Sequence, residues 1–436
     1  MPRRKAIALV GGSAFIFGCS LTGAAVTFVN QILLARWMGA RELGIYVFAL
    51  SLYSLICVLV GLGYPTAAYR FIGLGRAEGD KDHMKGFIRR GRQITICASL
   101  IAGIVGGLIV LVFDDRLVPA GYRTPLLIVF LILPFYSLIR FHAAVARGFS
   151  WFVLAALPMS VLRPLFILVG ISGLWLAGAV LSAGIVMFVF ATVISLLMLG
   201  QFFLLRRKLK PELQGGVAKY RTRLWSRTAA PLLIIVLFTS FFPEVNIVIL
   251  GLMLPPDQIA IYSVSFRIVL VIVFGLNAVD TITRPDFARY YAAGRTEELQ
   301  RLTARATGLK SVGALLGVVG FAFLGEYILS IFGEAFVIGY RTLMILALAQ
   351  LVRALAGPVS ELLSVTGHQD YCLYVFGYTL PLTIVLNLAL VPRFGIEGSA
   401  VAVLLGIIFW TVWLHVIVVR HLKIRPSILA IRTAFR

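Results

Sequence analysis

Four arginines, Arg140, Arg163, Arg267 and Arg353, fall inside long apolar runs rather than at their ends. A charged side chain at the centre of a membrane helix costs at least about 2.5 kcal/mol, so each of these needs a partner or a water-filled cavity. Guanidinium binds phosphate through two parallel hydrogen bonds. Arginines gathered on a cavity would therefore suit an anionic substrate carrying a pyrophosphate. The plainer alternative is snorkelling, and it applies best to Arg140 and Arg353, in the cytoplasmic parts of their runs. Three carboxylates, Glu244, Asp280 and Glu361, also lie in or near apolar sequence. They would either couple transport to protons or sodium, or neutralise the arginines. Neutralisation is the preferred reading for Asp280 and Glu361, near the cytoplasmic face. Glu244 adjoins Pro243, a helix-kinking residue, and is the candidate for coupling.

The elements that carry these residues are set by composition. Sixty per cent of the 436 residues are hydrophobic and 13% are charged, against about half and about a quarter in a soluble domain. Apolar runs of membrane-crossing length recur throughout. Twelve spans are expected, near 6–34, 44–69, 93–113, 124–146, 153–174, 177–205, 229–251, 258–282, 311–331, 337–358, 371–391 and 396–420. The fold class is all-α and polytopic.

The chain also repeats itself. Val29-Asn30, then Ile32-Leu33-Leu34, then Ile45-Tyr46 is echoed by Val245-Asn246, Val248-Ile249-Leu250 and Ile261-Tyr262. Gly121-Tyr122-Arg123-Thr124 recurs letter for letter as Gly339-Tyr340-Arg341-Thr342. A repeat with half the chain as its period implies duplication. Six spans per half put both halves the same way round in the membrane. They predict two six-helix bundles about a pseudo-two-fold axis along the membrane normal, with a cleft between them. The expected layout is a first bundle over 1–205, a basic linker over 206–228, a second bundle over 229–420 and a basic tail over 421–436.

The net charge is +22. The basic residues crowd Arg3-Arg4-Lys5, the loops at 70–92, 206–227 and 284–310, and the tail from Arg420. The other side carries few basic residues and has the acidic Asp114 and Asp115. This bias places both termini in the cytoplasm and implies contact with anionic lipid. No basic stretch is built as a nucleic-acid platform. The cysteines Cys19, Cys57, Cys97 and Cys372 are scattered and show no redox or metal spacing. There is no glycine-rich phosphate loop followed by lysine, the histidines have no metal-ligand spacing, and no cofactor motif is present. An enzyme is not expected. In the first span Ser13, Ser20, Thr27 and Gln31 share one helical face, which would line a cavity or hydrogen-bond a neighbouring helix.

Residues 33–39 (Leu33-Leu34-Ala35-Arg36-Trp37-Met38-Gly39), then Glu42-Leu43-Gly44-Ile45-Tyr46, Gly61-Leu62-Gly63-Tyr64-Pro65-Thr66-Ala67 and Arg70-Phe71 resemble the opening of polysaccharide biosynthesis proteins. These are the O-antigen and exopolysaccharide repeat-unit flippases of the multidrug/oligosaccharidyl-lipid/polysaccharide exporter superfamily. Gly333, Tyr340, Gly367, Gly395, Gly398 and Ala400 continue the likeness in the second half. The resemblance implies a flippase of the bacterial inner membrane. It would move an undecaprenyl-pyrophosphate-linked oligosaccharide to the periplasmic leaflet by alternating access, with polymerase or assembly proteins as possible company. On that reading Arg163 and Arg267 hold the pyrophosphate and Arg140 and Arg353 guide it in. Asn30 and Gln31 meet sugar hydroxyls. The rivals are a cation-coupled drug or metabolite exporter of the same fold, whose cavity should be rich in carboxylates, and a non-transporting scaffold.

Overall fold

The computed structural model describes residues 2–113 and 119–428, with the backbone alone for residues 2–17, 20, 120, 234, 235 and 237–243. Asp114 and Asp115 lie outside the described residues, as do the side chains of Ser13, Ser20 and Pro243. Among the described residues every regular element is a helix, as expected where no water can satisfy a strand edge.

The chain forms two compact units, Met1–Glu244 and Val245–Arg436. The first contains α1 (Pro2–Val60), α2 (Tyr64–Glu78), α3 (Lys81–Val112), α4 (Ala120–Gly148), α5 (Phe152–Leu157), α6 (Arg163–Leu176) and α7 (Ala183–Glu212). α8 (Thr222–Met253) runs from the first unit into the second. The second continues with α9 (Pro256–Ala292), α10 (Thr296–Ser330), α11 (Tyr340–Leu355), α12 (Val359–Val365) and α13 (Gln369–Leu422).

α1 and α13 are each two membrane helices joined at a sharp bend. At Gly39 the backbone turns to φ 76, ψ 171, and at Gly395 to φ 54, ψ −134. Both conformations are open to glycine and strained for other residues. Counting each bent helix twice, and α5 with α6 once, the described residues hold twelve membrane-crossing stretches. Two short helices, α2 and α12, are too brief to cross.

The duplicated motif does the same work in both units. In the first, a side chain placed on Gly121 would meet Ile45 Cδ1 at 3.3 Å. In the second, one on Gly339 would meet Ile261 Cγ2 at 2.7 Å. Ile45 and Ile261 are equivalent in the repeat, and the tyrosines after them, Tyr46 and Tyr262, are both buried. The paired asparagines are parallel too. Asn30 Nδ2 donates to the Pro164 carbonyl at 2.7 Å, while Asn246 Oδ1 accepts from Asn387 Nδ2 at 2.9 Å. Each ties the first helix of its half to the fifth.

The 206–228 segment is docked on the first unit. Trp225 is buried among Tyr64, Phe71, Phe87 and Phe141, with its ring edge-on to Phe87 at 5.4 Å. Ahead of it, Asp82 of α3 pairs with Lys219 at 2.8 Å and accepts from the Val217 amide at 2.8 Å. Lys85 Nζ donates to the Gly216 carbonyl at 2.8 Å.

Candidate functional site

Arg163 stands at the end of a one-turn π-helix, Pro158–Leu162, between α5 and α6. The sequence Pro158-Met-Ser-Val-Leu-Arg-Pro164 makes this irregularity. Pro164 has no N–H, so it cannot donate to the Ser160 carbonyl four residues back. The chain widens there, and the Arg163 amide bonds Pro158 instead. π-turns of this kind re-aim side chains and recur at functional sites. α1 lies directly on the widened turn, because Gly23 has no side chain: a Cβ there would be 1.7 Å from the Ser160 oxygen.

The turn brings Arg163 into electrostatic reach of the Tyr53 hydroxyl, and Arg140 of α4 reaches the same hydroxyl. Tyr53 is 1% exposed, and its ring packs on Tyr136 at 4.7 Å and Phe190 at 5.6 Å. Its hydroxyl makes no hydrogen bond among the described residues. Arg140 also lines a small recess with Cys57, Gly61, Gly63, Thr66 and Ser137. Neither Arg140 nor Arg163 forms an ion pair among the described residues. Among the described residues these two guanidiniums of the first unit therefore have no carboxylate to neutralise them.

Asn30 and Gln31 are both buried. The amide nitrogen of Asn30 is committed to Pro164, and among the described residues neither its Oδ1 nor Gln31 Nε2 has a hydrogen-bond partner. Thr27, on the same face, bonds the Gly23 carbonyl of its own helix at 2.7 Å. Glu244 and Arg267 are both half-buried, and each is engaged in an interaction. Arg267 belongs to the second unit and Arg163 to the first.

The second unit gathers Asp280, Glu361 and Arg353. Asp280 is 5% exposed and takes both bonds from Lys310 Nζ, at 2.8 and 2.9 Å. Glu361 pairs with Arg284 at 2.6 Å. Arg353 donates to Asn277 Oδ1 at 3.3 Å and stands 6.0 Å from the centre of the Trp410 ring. Both carboxylates lie within its electrostatic reach, and it pairs with neither. Three cations face two carboxylates, so the group carries one surplus positive charge.

Lys310 escaped the sequence reading, which put it at the edge of a cytoplasmic loop. Hairpin arithmetic would have found it. α9 and α10 are antiparallel neighbours joined by a turn at 293–295, and positions 280 and 310 are equidistant from residue 295. Tyr53 and Tyr136 were also missed. Nothing in their spacing separates them from ordinary apolar packing.

Comparison with known proteins now becomes decisive. The family model described as polysaccharide biosynthesis protein matches residues 9–290. The chain belongs to the polysaccharide biosynthesis protein family. A second family model, MatE, matches residues 231–389. Among relatives of this family member, the probable flippase AglR of Haloferax volcanii is 24% identical over 191 residues, covering 43% of this chain and 40% of that one. Stage V sporulation protein B of Bacillus subtilis is 27% identical over 90 residues, 21% of this chain and 17% of that one. The match therefore spans less than half the length of either relative. In fold, this family member superposes on the lipid II flippase MurJ, in its inward closed conformation, with TM-score 0.75 at 14% identity, covering 96% and 90% of the two chains. An inward-facing multidrug resistance MATE family transporter of the MOP superfamily gives 0.71 at 15% identity, covering 94% and 95%.

Proposed function

We propose that this polysaccharide biosynthesis protein is a flippase for a lipid-linked glycan. Its substrate is an undecaprenyl-pyrophosphate-linked oligosaccharide, moved from the cytoplasmic to the periplasmic leaflet of a bacterial inner membrane by alternating access. The product is the repeat unit for an O-antigen or exopolysaccharide polymerase. Both termini are assigned to the cytoplasm on the charge bias of the loops.

The observation that carries this reading is that Arg140 and Arg163, both inside the first unit, have no carboxylate partner among the described residues, with Arg140 lining a recess beside Cys57 and Ser137. Two guanidiniums without carboxylate partners in a membrane bundle are costly in an empty site. A pyrophosphate offsets that cost through charge-assisted hydrogen bonds. An exporter of organic cations would need the opposite, unpaired carboxylates. In the second unit Asp280 and Glu361 are already occupied by Lys310 and Arg284. The flippase names of the relatives, and the fold shared with the lipid II flippase, support the same conclusion.

The test is transport in proteoliposomes loaded with a polyprenyl-pyrophosphate oligosaccharide, following its appearance in the opposite leaflet. The wild type should move it, and Arg163→Ala and Arg140→Ala should each slow it by about tenfold or more, the loss of one charge-assisted contact. Normal transport by both variants would remove the arginines from the site. Failure of the wild type, with export of an organic cation instead, would overturn the flippase reading.

A further inference from the structure

Asn277, Asp280 and Arg284 follow one another at intervals of three and four along α9, so they form a single stripe. Each has its own partner from a different helix. Arg353 of α11 is on Asn277, Lys310 of α10 on Asp280, and Glu361 of α12 on Arg284. The order of the stripe decides where the surplus positive charge resides. Arg353 is given a neutral amide, one turn from a carboxylate that would otherwise neutralise it.

We infer that Lys310 is a positioning residue for substrate recognition: by occupying Asp280 it keeps Arg353 unneutralised and available to an anionic headgroup. This inference rests on the reading of the chain as a carrier of a pyrophosphate-linked lipid. Lys310 is suited to the role. It is 3% exposed and engages both carboxylate oxygens. Arg353 stays half-buried, with one face over Trp410. Without Lys310, Asp280 stays within electrostatic reach of Arg353, and a buried carboxylate does not stay unpaired. The pair that forms would cancel the charge that Arg353 offers.

The full-length chain in lipid nanodiscs tests this with two readouts on Lys310→Met, Asp280→Asn and the double variant. One is affinity for undecaprenyl pyrophosphate. The other is modification of Arg353 by phenylglyoxal, read by mass spectrometry, which needs no substrate. Lys310→Met should protect Arg353 and weaken binding by about tenfold, the worth of one charge-assisted contact. Asp280→Asn should leave Arg353 reactive and tighten binding, because Asp280 no longer competes for it. The double variant, which buries no unpaired charge, should recover both readouts.

A purely structural ion pair behaves differently. Lys310→Met and Asp280→Asn would then lose affinity together, in step with their melting temperatures, and the inference falls. It also falls if Arg353 reacts equally in the wild type and Lys310→Met. If the wild type does not bind the pyrophosphate while Arg353 reactivity follows the predicted order, the shielding stands and the flippase reading falls.

Discussion

Replacing Gly23 by alanine tests the contact that holds Arg163 in place. An alanine Cβ would lie 1.7 Å from the Ser160 oxygen, where a carbon and a carbonyl oxygen settle at about 3.3 Å. α1 must therefore retreat by about 1.6 Å, the difference between those two distances. Asn30 lies two turns further along the same face. Its 2.7 Å bond to Pro164 would stretch past hydrogen-bonding range. A membrane interhelical bond is worth about 0.6–1.7 kcal/mol, and overpacking a tight contact costs about 1–3 kcal/mol. Alanine returns about 1 kcal/mol in helix propensity. The net expectation is a loss of about 0.6–3.7 kcal/mol. Gly18 is the matched control in the same helix, since nothing among the described residues lies within 4 Å of a Cβ there. Gly18→Ala should be neutral or stabilising by up to about 1 kcal/mol. The assay is unfolding of the purified chains side by side in one detergent, followed by transport. Equal stability of the two variants would refute the close approach of α1 to the π-turn.

Two further outcomes follow from the start of α3 and the 206–228 segment docked on it. Asp82→Asn removes the partner of Lys219, whose ammonium is held above the usual lysine range by that carboxylate; limited trypsin digestion should then cut between 216 and 223 several times faster, and an unchanged rate would show that the Asp82–Lys219 pair does not hold the segment. Asp80 caps α3, accepting from the His83 amide at 3.0 Å and its ring at 2.5 Å, and the amide bond, followed by the ring bond, holds its carboxyl below the usual range. The folded value is depressed, so the cap contributes fully above the ordinary carboxylate pKa of about 3.9 and is lost as pH falls through the lower, folded value. Asp80→Ala should cost about 1 kcal/mol at pH 7, and this gap should close in strong acid; a gap independent of pH would refute the capping account.

The parts legible in the sequence were those written as repetition or as composition. Apolar run length announced the membrane helices. The echo of Ile45-Tyr46 in Ile261-Tyr262 announced a duplicated packing unit, and each isoleucine indeed meets the glycine of its own Gly-Tyr-Arg-Thr copy. The bend at Gly39 fell where the apolar run was interrupted. What could not be read depended on the third dimension. The π-turn before Arg163 arises from Pro158 and Pro164 acting with a glycine on another helix. Arg353 and Asp280 were both visible, but an arginine and an aspartate in one unit look like a pair until a lysine is found between them. Trp225 resembles any interfacial aromatic until the four rings around it, from α2, α3 and α4, are brought together.

That last feature has a bearing on biogenesis. The aromatic residues that α2, α3 and α4 give to this cluster are complete once Phe141 has been synthesised, yet the cluster also includes a residue that emerges much later. At about 5–20 residues per second, the ribosome leaves an interval of several seconds in which Phe71 and Phe87, the rings that Trp225 packs on, leave its socket unfilled. Trp225 closes it only as α8 is being threaded into the bilayer. Completion of the first bundle is thereby timed to the insertion of the helix that begins the second. A chain truncated before Trp225 would leave the ribosome with its six helices inserted and that socket still open to any passing apolar side chain.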